Sequence, residues 1–303
     1  MGHIVGIGAC VMDTLISLPA FPQEDTKLRA SNVRPAGGGP VGTGLVAASK
    51  LGADCAYIGT LSDDTVGVFL LEAFQKYDVD TRYIALFSGY RSFTSCIWLN
   101  EVNGSRTCVF DKGTLPPLVL SDDQRQAIAD ADILMVDGNE LDAAVEAAIH
   151  ARKNGTLVLY DAGGCYPNVE RLLMHTDLLI PSEEFALSHT GAENAEQAAI
   201  ILYNTYHPQV VVITQGSRGG LYYDGTTLSP YPAFPTHVVD SNGAGDVFHG
   251  AFAAAVSLGY DYLKCCYFAS AASSIKCQGV GARESAPDLQ TVKVFLAKHH
   301  IKL

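Results

Sequence analysis

The chain has 303 residues, of which 48% are hydrophobic and only 17% charged, and its formal net charge at pH 7 is −12. This length allows one large α/β domain with a substantial core, and the composition is that of a globular protein rather than a disordered one. The acidic balance, without any basic run, argues against a nucleic-acid partner. It does not argue against a nucleotide, which a few backbone amides and a metal ion can hold.

The cysteines and the apolar segments bear on the cell compartment. The eight thiols are at positions 10, 55, 96, 108, 165, 265, 266 and 277. Because they form no Cys-x-x-Cys pair, we expect reduced core residues of a cytosolic protein. The N-terminus lacks a basic region followed by an apolar stretch, and no run of 18 apolar residues occurs. We therefore expect a cytoplasmic protein without a membrane partner.

The first elements are β-like. "HIVGIGACVMD" (residues 3–13) is a short apolar strand that ends in glycines and then an acid. Two later regions lack a helical period, at about residues 14–34 and 84–112. The second contains Asn103-Gly104 between two β-rich runs, which predicts a hairpin with a type I′ turn. Since the two regions flank the first helical stretch, we expect them to pair as one small β-sheet lid over a main domain.

The rest of the chain alternates between strands and helices. From residue 132, short apolar runs recur every 20–30 residues with Ala-rich helical segments between them. This rhythm is typical of right-handed βαβ units and a mostly parallel sheet. Runs such as "VVVIT" (residues 210–214) are apolar throughout, as expected when helices cover both sheet faces. The predicted fold is a three-layer α/β/α domain over residues 1–303, with the small lid and no linker.

Two glycine-rich segments in the N-terminal part are candidate ligand loops. "GIGACV" (residues 6–11) resembles the dinucleotide fingerprint, but Val11 stands in place of its third glycine, which disfavours a nicotinamide site. Asp13 lies just beyond that strand, where it can accept hydrogen bonds from sugar hydroxyls; a solvated loop acid is the alternative. "AGGGPVGTG" (residues 36–44) lets the backbone approach a ligand closely but lacks the Lys-Ser/Thr of a P-loop.

The third glycine segment is "DSNGAGDVFHGAF" (residues 240–252). Phe248 and Phe252 share one helical face, which predicts a helix from about Gly243. The first N–H groups of such a helix are free and favour an anion. Asp246 beside an anion site would be unfavourable unless it acts, for example as the general base for a hydroxyl that attacks phosphorus. The alternative is an acid that only complements the helix dipole.

Together these segments resemble a known family. "DSNGAGDVFHGAF" resembles the DTxGAGDxFxxG signature of the ribokinase/PfkB family of carbohydrate and nucleoside kinases, and "GGGPVGTGLVAASKLG" resembles its N-terminal GG…LG signature. Family-like pieces between and beyond them include "TQGSRGGLYYDG" and "FASAASSIKCQGVGARESAP". The resemblance covers nearly the whole chain in the expected order. It implies a ribokinase-like fold, ATP as the phosphoryl donor and Mg²⁺ as its metal.

The resemblance also implies roles for individual residues. Asp246 would be the catalytic base, and the amides of Gly243, Ala244, Gly245 and Asp246 would form an anion hole. The lid would close over the sugar and contribute to a homodimer. The further implied sets are Asp13, Gly38 and Gly39 for the sugar; Thr214, Gly216, Gly219 and Gly281 for ATP; and Asp240 with Asn242 for a monovalent cation, usually K⁺.

Some positions depart from the family pattern. Thr43 stands where many members have an Asn that contacts the sugar. Ser182 and Phe185 replace the Asn and Glu that organise Mg²⁺ through water. Glu183 or Glu184 is then the candidate to compensate, or ATP phosphates and water hold the ion.

The segments "GGGP", "GDVFHGA" and "IKC" most resemble the sulfofructose kinase and ketohexokinase-like branch. Lys27 in the lid, with Arg91, Arg106 or Lys112, would fit an anionic sugar; solvated lid charges are the alternative.

We therefore predict an ATP-dependent carbohydrate kinase that transfers the γ-phosphoryl group to a hydroxyl of a small sugar, a ketose or furanose. A nucleoside kinase of the same family is the main alternative, with Trp98 or Phe110 stacked on the base. A catalytically silent ligand-binding relative is the second alternative, and the intact Asp246 argues against it.

Overall fold

The computed structural model describes residues 2–303 and contains two β-sheets. The larger sheet has ten strands: β1 (His3–Ile7), β4 (Asp54–Ser62), β5 (Val79–Asp80), β6 (Ile84–Phe87), β9 (Ile133–Val136), β10 (Leu157–Ala162), β11 (Leu178–Pro181), β12 (Val210–Thr214), β13 (Gly220–Tyr223) and β14 (Leu228–Tyr231). Their order is β14-β13-β12-β11-β10-β9-β1-β4-β5, and β6 also pairs with β4. All of the pairings are parallel except those of β13 with β12 and with β14.

Helices cover both faces of this sheet, so the predicted three-layer α/β/α arrangement is confirmed. Alternate residues of β12 show it: Val210 and Val212 pack in one apolar cluster, and Val211 and Ile213 in the other. The first cluster includes α1 (Pro40–Lys50), α2 (Thr65–Gln75), α8 (Ala244–Ser257), α9 (Tyr262–Lys276) and α10 (Leu289–Lys298). The second includes α3 (Asp122–Ala129), α4 (Leu141–Asn154), α5 (Glu170–Leu173), α6 (Glu183–Thr190) and α7 (Ala195–Tyr206).

Two glycines with left-handed backbone start the helices that matter for the site. Gly39 has φ 87° and precedes α1, which begins with Pro40, a favoured first helical residue. Gly243 has φ 74° and precedes α8. A side chain at either position would be strained, because only glycine adopts this conformation freely. Both helices therefore begin at sharp turns beside the carboxyl ends of the parallel strands.

The smaller sheet is the lid, with strands β2 (Val11–Leu18), β3 (Asn32–Gly38), β7 (Thr94–Asn100) and β8 (Arg106–Asp111). Their order is β3-β2-β7-β8. A small apolar cluster of Leu15, Ala36, Ile97 and Leu99 holds it together. The two β-like regions of the sequence thus pair as predicted.

The structure differs from the sequence-based predictions in two details of the lid and in the placement of the thiols. Residues 84–87 form β6, which pairs with β4 of the main sheet rather than with the lid. The hairpin at Asn103-Gly104 is present, but only Gly104 has a positive φ. A type I′ turn requires a positive φ at both central residues, so the predicted turn type is wrong. Of the eight thiols, Cys96, Cys108 and Cys165 are exposed, so they are not core residues; all eight are free.

Candidate active site

Two cavities meet at the turn that begins α8. One, of about 420 Å³, lies under the lid and is called the lid cavity; Asp13, Gly38 and Asp246 line it. The other, of about 520 Å³, is called the loop cavity and is lined by residues 214–219, 231–238 and the first turn of α8. Thr214 and Gly245 line both. Asp246 lines only the lid cavity and Ala244 only the loop cavity, so the turn separates a side with a carboxylate from a side without one.

The first turn of α8 offers free amides at this junction. The amide of Ala244 donates a long bond of 3.3 Å to the carbonyl of Ser241, and that of Val247 donates to Gly243 within the helix. Among residues 2–303 the amides of Gly245 and Asp246 have no such partner. These two donors, together with the positive end of the helix dipole, favour a negative group between the cavities.

Asp13 is fixed at the lid side of the lid cavity. Its side chain is buried, and its Oδ1 accepts a bond of 2.6 Å from the Ser95 hydroxyl on the neighbouring strand β7. A Cβ built on Gly38 would lie 2.0 Å from Asp13 Oδ2, so only glycine fits there. Gly39 also lines the cavity. The structure thus brings Asp13, Gly38, Gly39 and Asp246 together as predicted.

Two further carboxylates follow strands of the main sheet. Asp137 lies just after β9 and accepts bonds from the amides of Ala9 (2.7 Å) and Asn139 (2.9 Å). Asp161 lies near the end of β10, and its Oδ2 is 3.0 Å from His249 Nδ1. Both acids line the lid cavity and were missed in the sequence, although each ends an apolar strand of the main sheet. Asp13 was predicted to follow such a strand, but it lies within the lid strand β2 instead.

Burial shapes the electrostatics of these acids. It raises the pKa of Asp13 to about 6, against the opposing hydrogen bond from Ser95. It raises the pKa of Asp161 to about 7, against the charge of His249. Burial also raises the pKa of Asp246, and the charges of His249 and Arg106 oppose this increase. Burial thus favours the neutral form of these carboxyl groups, and Arg106 on β8 is the lid cation that lines the same cavity.

His249 lies one turn after Asp246 and is buried. Its Nδ1 is 2.6 Å from the carbonyl oxygen of Gly245, and its Nε2 is 2.9 Å from that of Ile180. Both ring nitrogens therefore face hydrogen-bond acceptors, an arrangement that a protonated imidazole satisfies fully.

The loop cavity combines small and apolar residues. Thr214 ends β12, and Gly216 and Gly219, with φ 59° and 87°, shape the tight turn that follows. Phe234 and Phe248 supply apolar walls. Thr214, Gly216 and Gly219 lie together as predicted. Gly281 does not line this cavity; its amide donates a bond of 2.8 Å to Asp240 Oδ2.

Glu183 lies behind the turn of residues 214–219. Its Oε1 accepts a bond of 2.7 Å from the Gln215 side chain, and its Oε2 pairs with Arg218. Both oxygens are thus used within the protein, which does not fit a metal ligand. Phe185 is buried against Tyr160 and His189, and among residues 2–303 no three His, Cys, Asp or Glu side chains are placed to hold a metal ion.

Asp240 and Asn242, the candidate cation ligands, lie just before α8 and are both buried. The carboxylate of Asp240 accepts the amides of Asn242 and Gly281, each at 2.8 Å. The buried ammonium of Lys276 lies 3.6 Å from its Oδ2. Asn242 also lines the lid cavity.

Three predicted sugar contacts lie away from the lid cavity. Lys27 is exposed in the β2–β3 connection. Arg91 forms an exposed ion pair of 2.8 Å with Asp111. Thr43 is buried inside α1, and its Oγ1 has no hydrogen-bond partner. None of the three lines the cavity as the structure describes it.

Comparison with known proteins identifies the family of the chain. Residues 1–289 match the model of the pfkB family of carbohydrate kinases. The chain belongs to this family. A ribokinase of Haemophilus influenzae is 28% identical, over 96% of this chain and 97% of its own length. A ketohexokinase of Mus musculus is 25% identical, over 91% of this chain and 96% of its own length.

The fold of this carbohydrate kinase is shared with a solved ribokinase. The structure of Arabidopsis thaliana ribokinase, complexed with ribose and ATP, matches with a TM-score of 0.85 and 26% identity, covering 97% of this chain and 98% of that one. The predicted family, fold and class of ATP-dependent kinase are therefore confirmed. The assignment to a sulfofructose kinase branch stays a prediction. Among residues 2–303, no helix has the length and hydropathy needed to cross a bilayer.

Proposed function

We propose that this kinase phosphorylates a hydroxyl of a small neutral sugar, which binds in the lid cavity while ATP binds in the loop cavity. One observation carries the proposal. Gly245 lines both cavities, whereas the carboxylate of Asp246 lines only the lid cavity. A phosphoryl group that passes over the start of α8 would therefore move from a side without a base to a side with one.

Each residue at the junction has a distinct task in this mechanism. Asp246 accepts the proton of the sugar hydroxyl as its oxygen attacks the γ-phosphorus, and the bond from phosphorus to the leaving oxygen of ADP breaks. The free amides of Gly245 and Asp246 stabilise negative charge on the transferring group. Asp13 orients the sugar by accepting a hydrogen bond from one of its hydroxyls, since Ser95 occupies only one of the carboxylate oxygens.

The charges around the lid cavity support a neutral sugar rather than an anionic one. Asp13, Asp137, Asp161 and Asp246 all line it, against Arg106 of the lid and His249. Of the four cations predicted for an anionic sugar, Arg106 lines the cavity, and Lys27, Arg91 and Lys112 do not. A carboxylate or sulfonate on the sugar would meet like charges, which is unfavourable.

We further propose that Mg²⁺ arrives with ATP. The carboxylate of Glu183, the residue predicted to hold Mg²⁺, is bound to Gln215 and Arg218. Mg²⁺ dehydrates reluctantly and is often held by phosphates and water. When bound, it would neutralise charge on the ATP phosphates.

A nucleoside is the second candidate acceptor, because two aromatic rings line the lid cavity. The centroids of Phe93 and Phe110 are 5.7 Å apart, and Phe110 is 62% exposed. Such rings can stack on a base. Trp98, the other predicted stacking residue, does not line the cavity.

The lid also supports a homodimer. On its face away from Asp13, Ile16 is in register with Val33 and Trp98. Val33 is 58% exposed and Val109 on β8 is 61% exposed. This apolar face would be buried if two lids packed together. Sedimentation of wild type and Val109→Asp tests it: a wild-type monomer would reject the homodimer.

The function is tested by sugar-dependent release of ADP across neutral sugars, sugar acids and nucleosides. We expect neutral sugars to be the best acceptors and Asp246→Asn to lower kcat by about 10²–10⁴-fold. Thermal shifts with an ATP analogue show whether Asp246→Asn still folds and binds. A fully active Asp246→Asn, or no acceptor in the whole panel, would reject the proposed function.

A further inference from the structure

A buried ion pair lies directly behind the start of α8. The side chains of Lys276 and Asp240 are both fully buried. Lys276 Nζ donates a bond of 2.7 Å to the Asp240 carbonyl oxygen and lies 3.6 Å from its Oδ2. Burial lowers the pKa of Lys276, and the charge of Asp240 opposes this. A buried carboxylate needs such a partner, because an isolated charge in the core is strongly unfavourable.

Each carboxylate oxygen of Asp240 already accepts a backbone amide. Its Oδ1 accepts the amide of Asn242, and its Oδ2 accepts the amide of Gly281. With Lys276 alongside, this carboxylate has its countercharge and two amide donors. A metal ion at the same carboxylate would have to displace the ammonium or lie beside a like charge. The donor set therefore does not fit a monovalent metal ion.

Lys276 joins the two segments that shape the turn at the start of α8, where the free amides of Gly245 and Asp246 lie. One is residues 240–243, which lead into α8; the other is residues 277–282, which follow α9. The carbonyl of Cys277 accepts the amide of Val239 at 2.8 Å, and a Cβ on Gly243 would meet the Ala282 side chain at 2.3 Å. The charge of Lys276 also lowers the pKa of Asp246. The ammonium thus links both segments and supplies positive charge to the turn.

We propose that the Lys276 ammonium is the resident cation of the anion hole, so that phosphoryl transfer by this kinase needs no monovalent metal ion. The inference rests on the proposed function. It assigns to a side chain the positive charge that the family resemblance assigned to K⁺ at Asp240 and Asn242.

Wild-type enzyme gives the first test. Initial rates are measured in KCl, NaCl and choline chloride at one ionic strength, so that screening is constant. Choline is too large to enter a buried site, so choline chloride is the salt without a competing cation. We expect the rates to differ by less than ~2-fold, because Lys276 already supplies the positive charge. Melting curves of the enzyme without ligands provide a readout independent of activity. A K⁺ ion that binds the native state would raise Tm, and we expect no difference between KCl and choline chloride.

Two variants at position 276 separate charge from volume. Lys276→Ala removes the ammonium and leaves space, so we expect a loss of at least ~10-fold in choline chloride and recovery in KCl or NH₄Cl. Lys276→Met removes the charge but fills the space, so we expect the loss without recovery. Lys264→Ala is the control, because Lys264 is a half-exposed residue of the same helix paired with Asp261. It should behave as wild type in every salt.

The outcomes distinguish this inference from the proposed function. A wild type that is active in KCl but ~10-fold or more slower in choline chloride, or that melts higher in KCl, overturns the role of Lys276 and leaves the kinase intact. A wild type without sugar-dependent ADP release in any salt rejects the proposed function instead. If the variants at position 276 fail to fold, the two wild-type measurements still decide.

Discussion

Arg283 Nη2 donates a hydrogen bond of 2.6 Å to the carbonyl oxygen of Gly38. The guanidinium is fully buried, lies 4.7 Å over the ring of Phe74, and forms no ion pair among residues 2–303. Its Nε and Nη1 have no hydrogen-bond partner. A Cβ at Gly37 or Gly42 would meet it within 2.7 Å. A buried, unpaired charge is thus held against the back of the glycine loop that faces Asp13.

Replacing Arg283 with Met should separate activity from stability. The Gly38 carbonyl loses its donor, so we expect KM for the sugar to rise by ~10-fold or more, with a smaller change in kcat. The free energy of unfolding should stay equal or increase, because an apolar side chain of similar length replaces an unpaired buried charge. Sugar kinetics and urea unfolding measure the two effects. Arg82→Met, at an exposed pair with Asp80, is the control; equal sugar KM values in the two variants would contradict this role.

The pKa of Asp13 is about 6, which predicts where kcat/KM for the sugar begins to decrease on the acid side, or acid limb, of its pH profile. Below that pH the carboxylate becomes protonated and loses acceptor capacity, so kcat/KM for the sugar should decrease ~10-fold per pH unit. Ser95→Ala removes a hydrogen bond that favours the charged form, so the limb should move to higher pH. A pH profile of kcat/KM measures both. Ser31→Ala, elsewhere on the lid, should leave the limb in place, and an unmoved limb in Ser95→Ala would contradict the assignment.

His249→Gln should move the pH dependence of kcat. The positive charge of a protonated His249 lowers the pKa of both Asp246 and Asp161, so its removal raises both. Arg106, Lys276 and Arg283 also act on Asp246 and remain in the variant. We expect the acid limb of kcat to shift upward by about one pH unit, with little change at high pH. His150→Gln, on α4 at the opposite face of the main sheet from α8, is the control; a uniform loss at all pH values would indicate a packing role instead.

The sequence predicts the chemistry at residues 243–246 because a helix start with small residues and one acid has few structural solutions. Asp13 was predicted by the rule that an acid just beyond a parallel strand faces the ligand crevice, but it reaches the lid cavity from the lid strand β2 instead. That rule applies equally to Asp137 and Asp161, which end the runs "DILMVD" and "TLVLYD". These two could therefore have been predicted from the strand pattern.

Of the cations predicted at the sugar, Arg106 lines the lid cavity, whereas Lys27, Arg91 and Lys112 do not. Arg91 was placed at the sugar by resemblance, but the β6–β7 connection directs it to Asp111. Such an ion pair depends on tertiary contacts that no local pattern contains. Conversely, Lys276 and Arg283 are buried beside the site, although Lys and Arg are ordinarily exposed and would be assigned to the surface. Only the packing of α9 and the segment after it shows that they are buried there.

Glu183 distinguishes a structural role from a metal-binding one in the nucleotide site. Because its carboxylate holds Gln215 and Arg218, Glu183→Gln should loosen the turn of residues 214–219 that lines the loop cavity. We expect KM for ATP to rise about 3–10-fold, equivalent to ~0.7–1.4 kcal/mol, with KM for the sugar unchanged. Glu184→Gln, at an exposed neighbour on the same helix, is the matched control. Rates are measured over a range of free Mg²⁺, because a lost metal ligand would raise the Mg²⁺ requirement, whereas a loosened turn would not.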